Sequence, residues 1–330
     1  MAKLPIPSSR KIVPWLFLTP LFIMIAFAWV GPLFLTVYLG FTDLQLKNFI
    51  AFIKDFFTPE VHLTLKNFEK IFFAEDPYIS EVAKITVMYV GSVLAINAFF
   101  ALILSIAIAY FVKNELLSMF LRVSWLLPRI TPGIIYALMW NWFVSPDGMF
   151  DTLLKLAGIP EQWLPSNWLL DKPYSQILMI IVNGYIGASF GMIVYTAAIK
   201  SIPPDLINAA LVDGASEFQV AKNIIIPLLK WPIMFVTAWQ TLSLMASYDV
   251  ILMVWGAAQG ASPSEVLGVT KVAGVTVWAL YAYSQAFSQY QYGYAAAISL
   301  VLVVIGLVLI VFYFKIFGFR RLMEPSRVEV

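Results

Sequence analysis

Long uncharged apolar runs alternate along the chain with short polar stretches, and six of the runs reach the roughly 20 residues a helix needs to cross a bilayer. They cover residues 12–42, 85–112, 123–144, 174–199, 231–255 and 292–317. Only Arg129 interrupts the third and only Asp249 the fifth, and residues 113–122 form a short charged link between the second and third. The pattern predicts an all-α membrane protein with a single transmembrane domain over residues 1–330, since helices satisfy their backbone polar groups internally in lipid. The first run follows Lys3, Arg10 and Lys11 as a signal peptide would, but its length and its missing small-residue cleavage site make it a retained helix. Residues 272–314 carry no charge and are long enough for two spans. One is preferred, because Tyr, Ser and Gln recur through 281–291, which suits an interfacial or external loop, and Arg320 and Arg321 favour a cytoplasmic end.

Charge then gives an orientation. Six spans place both termini on one side, where twelve basic residues face six acidic ones, against eight basic and twelve acidic on the other, so the termini are expected in the cytoplasm. The 330 residues are 61% apolar and 12% charged, which excludes a disordered or collagen-like chain. A net charge of +2 is no footprint for nucleic acid. With no cysteine there is no thiolate metal site, and His62, the one histidine, reads as a solvated loop residue.

The most informative stretch is polar and lies between the fourth and fifth runs, residues 201–227. Pro203 and Pro204 suit a helix start, Gly214 a left-handed stop, and Ser216 with Gln219 a capping box for a second helix that Pro227 ends. Two short helices joined by a tight turn are expected. Ala209, Ala210, Gly214 and Ala215 keep their surface thin enough for another backbone to approach, as a docking knob requires.

This stretch resembles the permease signature of ATP-binding-cassette importers: Glu-Ala-Ala, two residues, Asp-Gly-Ala, later Pro. Ala209, Ala210, Asp213, Gly214, Ala215, Ile224 and Pro227 match it, while Asn208 stands at the glutamate position and Ala221 where an aromatic is common. Further stretches are similar to the carbohydrate branch: Leu16 to Pro20, Gly31-Pro32-Leu33, Phe41-Thr42-Asp43, Leu127-Pro128, Trp140 to Phe143, Tyr248-Asp249, and Gly256 to Gly260 with Pro263. The resemblance implies a permease subunit in the cell membrane that imports sugar with a second permease, two nucleotide-binding ATPase subunits and an extracytoplasmic sugar-binding protein. It implies that Leu206, Asn208, Ala209, Ala210, Asp213, Gly214, Ala215 and Pro227 form the ATPase-coupling segment. The chain itself would carry no cofactor and catalyse nothing, with ATP and Mg held by the ATPase. The phosphate-cradling Gly-x-x-x-x-Gly-Lys-Ser/Thr pattern is indeed missing.

Candidates for the sugar path are Asn183, Tyr185, Gln240, Tyr248, Asp249 and Trp255. A carboxylate within a span is costly, by about 2.5 to 3.5 kcal/mol, so Asp249 should bond a neighbouring helix or face the path. Arg129 is placed to reach the interface or to pair with Asp249. Polar residues also glue helices together, and Gly187 with Gly191 reads as a packing face. Import of a polyol or glycerol phosphate, a carrier not driven by ATP, and an intramembrane enzyme are the alternatives. The last would need a nucleophile with a base, or a metal, that the sequence does not clearly offer.

Overall fold

The computed structural model describes residues 8–56, 63–73, 75–256, 259–262 and 264–317, and every regular element among them is helical. In chain order the helices are α1 (Trp15–Gly40), α2 (Phe49–Phe56), α3 (Lys66–Phe72), α4 (Ile79–Phe111), α5 (Glu115–Ile130), α6 (Gly133–Phe143), α7 (Met149–Leu156), α8 (Tyr174–Lys200), α9 (Pro204–Val212), α10 (Glu217–Leu228), α11 (Lys230–Ala246), α12 (Asp249–Trp255), α13 (Val266–Ala273), α14 (Trp278–Phe287) and α15 (Tyr292–Phe317). Four of these, α1, α4, α8 and α15, are long and apolar enough to cross a membrane, and the bent pair α10–α11, counted as one span, would make a fifth. His62 and Pro263 lie outside the described residues.

Where the apolar pattern predicts unbroken spans, the structure twice shows breaks. The third run is two helices, because Pro132 has no N–H to donate and drives Thr131 into an extended conformation with ψ 131°. Helix α5 also starts early, inside the charged link, where the Asn114 side chain caps it by accepting the Leu117 N–H at 3.1 Å. The fifth run breaks at Ser247 and Tyr248. Asp249 therefore sits not inside a continuous span but in the first turn of α12, the end of the helix dipole that favours a carboxylate, and it accepts the Ser247 hydroxyl at 3.2 Å.

The polar stretch at 281–291, expected as a loop, is for the most part helical. Residues up to Phe287 belong to α14, and Tyr281, Ser284 and Gln285 are buried there. Of these, Tyr281 donates to the distant Asp76, while the Ser284 hydroxyl and the Gln285 carboxamide oxygen have no partner among the described residues. Helix α14 packs on α15, and the indole of Trp278 donates to the Ile298 carbonyl at 2.8 Å.

The centre of the molecule is the packing of α8 against α4 and α11. On α8, Gly187 and Gly191 meet the π-helical turn at Ile96–Phe100 of α4. A Cβ on Gly187 would overlap the Asn97 carboxamide, and one on Gly191 would lie 2.7 Å from the Asn97 carbonyl. Lipid supplies no hydrophobic force between helices, so this close approach is the packing that holds them. The apolar sides of α1 and α15, with Phe27, Trp29, Leu307 and Val311 exposed, face outward as lipid-facing surfaces do.

Candidate functional site

The segment after α8 is assembled almost wholly from its own sequence. Pro204 stands at the first position of α9, where a missing N–H is harmless. Gly214 ends α9 in the left-handed region at φ 87°, and a Cβ there would meet nothing within 4 Å, so it is the backbone and not crowding that calls for glycine. The Ser216 hydroxyl accepts the Gln219 N–H while the Gln219 side chain accepts the Ser216 N–H, a reciprocal capping box at 3.3 and 2.7 Å. The second helix ends one residue beyond Pro227, as the sequence predicts. A π-helical turn at Ala221–Ile225 precedes the proline, α10 continues to Leu228, and the chain then turns by 62° at Leu229 into α11.

Asn208, Ala209, Asp213 and Gly214 are exposed, Ala210 and Ala215 half-buried. Leu206, Val212 and Phe218 are exposed apolar side chains beside them, Val212 at 87%. Beneath, Val220, Ala221, Ile225 and Leu229 are buried against Ile106 and Tyr110 of α4 and Ile199 of α8. The small Ala221, at the position where the resemblance expects an aromatic, is part of that buried contact. Three ion pairs stand at the base of the segment, the first of them reaching into it. Lys113 bonds Glu217 at 2.9 Å, and Glu115 joins Lys200 at 2.6 Å and Arg122 at 2.8 Å. The hydrogen bonds from Lys200 and then Arg122 hold the Glu115 carboxyl below its ordinary value.

The six path candidates do not form one site. Trp255 is fully buried and its indole donates to the Leu169 carbonyl at 2.7 Å, so it is a core residue in this conformation. Asn183 donates to the Met179 carbonyl one turn back. Gln240 donates across to the Gly187 carbonyl at 2.8 Å, tying α11 to α8. Tyr248 stacks on Tyr283 with centroids 5.1 Å apart, beside the exposed Asp249. Arg129 does not reach Asp249 and lies instead over the Phe190 ring at 5.7 Å. Tyr185, half exposed and edge-on to Trp125, lines a cavity of about 500 Å³ with Thr131, Tyr136, Trp140 and Phe143. That cavity opens at the Pro132 break, and its aromatic faces suit the apolar side of a sugar ring.

Asn97 escaped the sequence reading because an uncharged residue leaves an apolar run unbroken. It is fully buried, and neither carboxamide atom has a partner among the described residues. Its π-turn is one of two in α4, at Ile96–Phe100 and Ala107–Phe111, a feature that recurs at functional sites.

The family model described as the binding-protein-dependent transport system inner membrane component matches residues 101–325. The chain belongs to that family. This permease is 26% identical over 268 residues to a probable ABC transporter permease protein of Bacillus subtilis, covering 80% of this chain and 81% of the relative. It is 26% identical over 204 residues to the trehalose/maltose transport system permease protein of Thermococcus litoralis, covering 61% and 66%. Its fold matches a chain of the bacterial alginate ABC transporter solved with an alginate pentasaccharide-bound periplasmic protein, at TM-score 0.76, 20% identity and 96% of each chain. The permease is a multi-pass membrane protein and a transport subunit, not an enzyme.

Proposed function

We propose that this permease forms half of the translocation path of an ATP-driven sugar importer, with six spans in one transmembrane domain and both termini in the cytoplasm. The third span is the broken pair α5–α6, and the bent pair α10–α11 carries the fifth, continued by α12. A second permease completes the path, an extracytoplasmic binding protein delivers the sugar, and two ATPase subunits holding ATP and Mg dock below. Named transport systems for trehalose and maltose and for lactose among the relatives support a sugar as cargo.

The observation that carries the reading is the exposed face of α9 and its turn. Leucine, valine and phenylalanine stand out of a segment too polar and too short to enter lipid, over a surface thinned by alanine and glycine. Such a face suits a protein groove. The ion pair of Glu217 with Lys113 connects it to the link after α4, and that of Lys200 with Glu115 ties the end of α8 to α5, so that motion of the ATPase would be passed to the helices around Gly187 as rigid levers. Tyr185, Tyr248 and Asp249 are the residues assigned to the path. Gln240 positions α8 behind it, and Asn183, bonded within α8, is left out of the path.

Purifying the complex from its own membranes through a tag on this chain tests the reading. ATPase should copurify and be stimulated by sugar-loaded binding protein. Absence of any ATPase, with sugar flux following an ion gradient, would make the protein a carrier.

A further inference from the structure

At the end of α4 remote from the short helices lies a polar cleft of about 320 Å³ that none of the path candidates lines. The 33 residues of α4 span about 50 Å, and their far end is the one near Lys113 and Glu217, so the cleft opens on the opposite face of the membrane. Three distant stretches build it: Lys70 to Pro77, Leu267 to Lys271, and Tyr281 to Gln291.

Its floor is rigid. The buried Asp76 carboxylate accepts the hydroxyls of Tyr281 and Tyr294 at 2.5 and 2.6 Å and the Tyr78 N–H at 3.0 Å. Its walls are unsatisfied. Gln285 is only 6% exposed and its carboxamide oxygen has no partner. The ammonium groups of Lys70 and Lys271 lie over the rings of Tyr294 and Tyr78 at 4.0 and 4.1 Å, and neither takes part in an ion pair among the described residues. The rim turn carries Gln289 and Gln291 around Tyr290, a non-glycine residue in the left-handed region at φ 55°, where strain gathers at functional sites.

We propose that this cleft is a sugar subsite, taking an uncharged polyhydroxylated ring on the delivery face before it enters the path. Two cations and two carboxylates balance, which leaves no preference for a charged ligand. Donors (both ammonium groups) and acceptors (Gln285, Glu75) stand side by side, and a hydroxyl is the group that answers both. A docked protein would ask for a deep aromatic or aliphatic anchor pocket, and here the apolar lining is Leu267, Pro77 and the buried Tyr281 ring, whose hydroxyl is held by Asp76. The subsite rests on the importer reading.

The test is lysine acylation footprinting of the whole tagged complex in lipid, with glucose, maltose, trehalose or lactose as probes and uptake measured on the same preparation. A sugar that supports uptake should slow acylation of Lys70 and Lys271 and leave Lys222 unchanged. Gln285→Leu, or Lys271→Gln at the rim if the buried change does not fold, should raise the half-saturating sugar concentration about threefold to tenfold without lowering the maximal rate, as expected when one hydrogen bond of uniform binding is removed. Uptake with no protection of either lysine overturns the subsite while the importer stands. Protection by sugar-free binding protein also overturns it, in favour of a protein dock. No uptake or ATPase stimulation by any sugar overturns the importer reading instead, and with it the subsite.

Discussion

The short-helix segment, α9 and α10, and the polar cleft at the other end of α4 are both irregular and polar, yet they are held in opposite ways. In the first, each structural decision is made within about four residues: Pro204 starts a helix, Gly214 stops it, and Ser216 and Gln219 cap the next. In the second, Asp76 waits for Tyr281 and Tyr294, more than 200 positions away. Local determination suits a part that must keep its shape while a partner pushes on it. Distant determination welds the start of α4 to α14 and α15, and fixes the cleft only once the whole bundle has closed.

The sharpest way to break the contrast is to remove the distant anchor. Asp76→Ala leaves two buried phenols without their shared acceptor, and about 2–4 kcal/mol should be lost, read as a fall in the thermal midpoint of the purified complex. Asp76→Asn, which keeps an acceptor, should lose less. Burial acts to raise the Asp76 carboxyl, but the Tyr281 and Tyr294 hydroxyls, the Tyr78 N–H and Lys70 outweigh it and hold it below its ordinary value of 3.8. A depressed folded value means the stabilisation is complete above the unfolded value and fades as pH falls below it. The gap between wild type and Asp76→Asn should therefore narrow only in acid, beneath about pH 4. A gap that is constant down to pH 3 would show that the carboxylate charge has no part in the anchor.

The local segment breaks differently. Gly214→Val strains a left-handed backbone by about 1–2 kcal/mol in a place with no neighbours to crowd, so the bundle should remain folded while uptake is lost. Gly214→Asn, which tolerates that conformation, should retain most uptake. Equal uptake in the valine variant would separate the turn from coupling. Ser216→Ala should be milder, about 1 kcal/mol from the lost cap, visible as faster hydrogen exchange at Gln219 with little change at α14.

Legibility follows the same division. Long apolar periodicity marked α1, α4, α8 and α15 within a few residues, and the capping chemistry of Pro204, Gly214 and Ser216 was plain because its partners are sequence neighbours. Breaks inside the third and fifth runs were not, since hydropathy counts apolar residues and is blind to Pro132 and Ser247 ending one helix and starting another. Pro227 marks the end of α10 to within one residue, since the helix stops at Leu228 and the chain bends there. Trp255 looked like a sugar-facing aromatic, and only the fold reveals that its indole is spent on Leu169. Asn97 left the apolar run unmarked and the α14 polar face looked like a loop, both for one reason. Their meaning lies in what packs against them, Gly187 in one case and Asp76 in the other.

The smallest expected effect probes the join between the local segment and the long helices. Lys113 and Glu217 meet at 2.9 Å, but their side chains are 63% and 46% exposed, so water screens the attraction and holding two flexible chains together offsets part of the gain. A double-mutant cycle with Lys113→Gln and Glu217→Gln should give a coupling of about 0.2–1 kcal/mol at low salt, fading as ionic strength rises. Lys113 also sits over the Tyr110 ring at 4.9 Å, so its single substitution should exceed that of Glu217 by the share of the ring contact, which salt leaves in place. The same cycle scored by uptake asks a separate question. If the pair transmits force, both singles and the double should lower coupled transport by the same factor, since one missing partner disables it. Independent, multiplying losses would leave the buried contact of Val220, Ala221, Ile225 and Leu229 with Ile106 and Tyr110 to carry the join between α10 and α4.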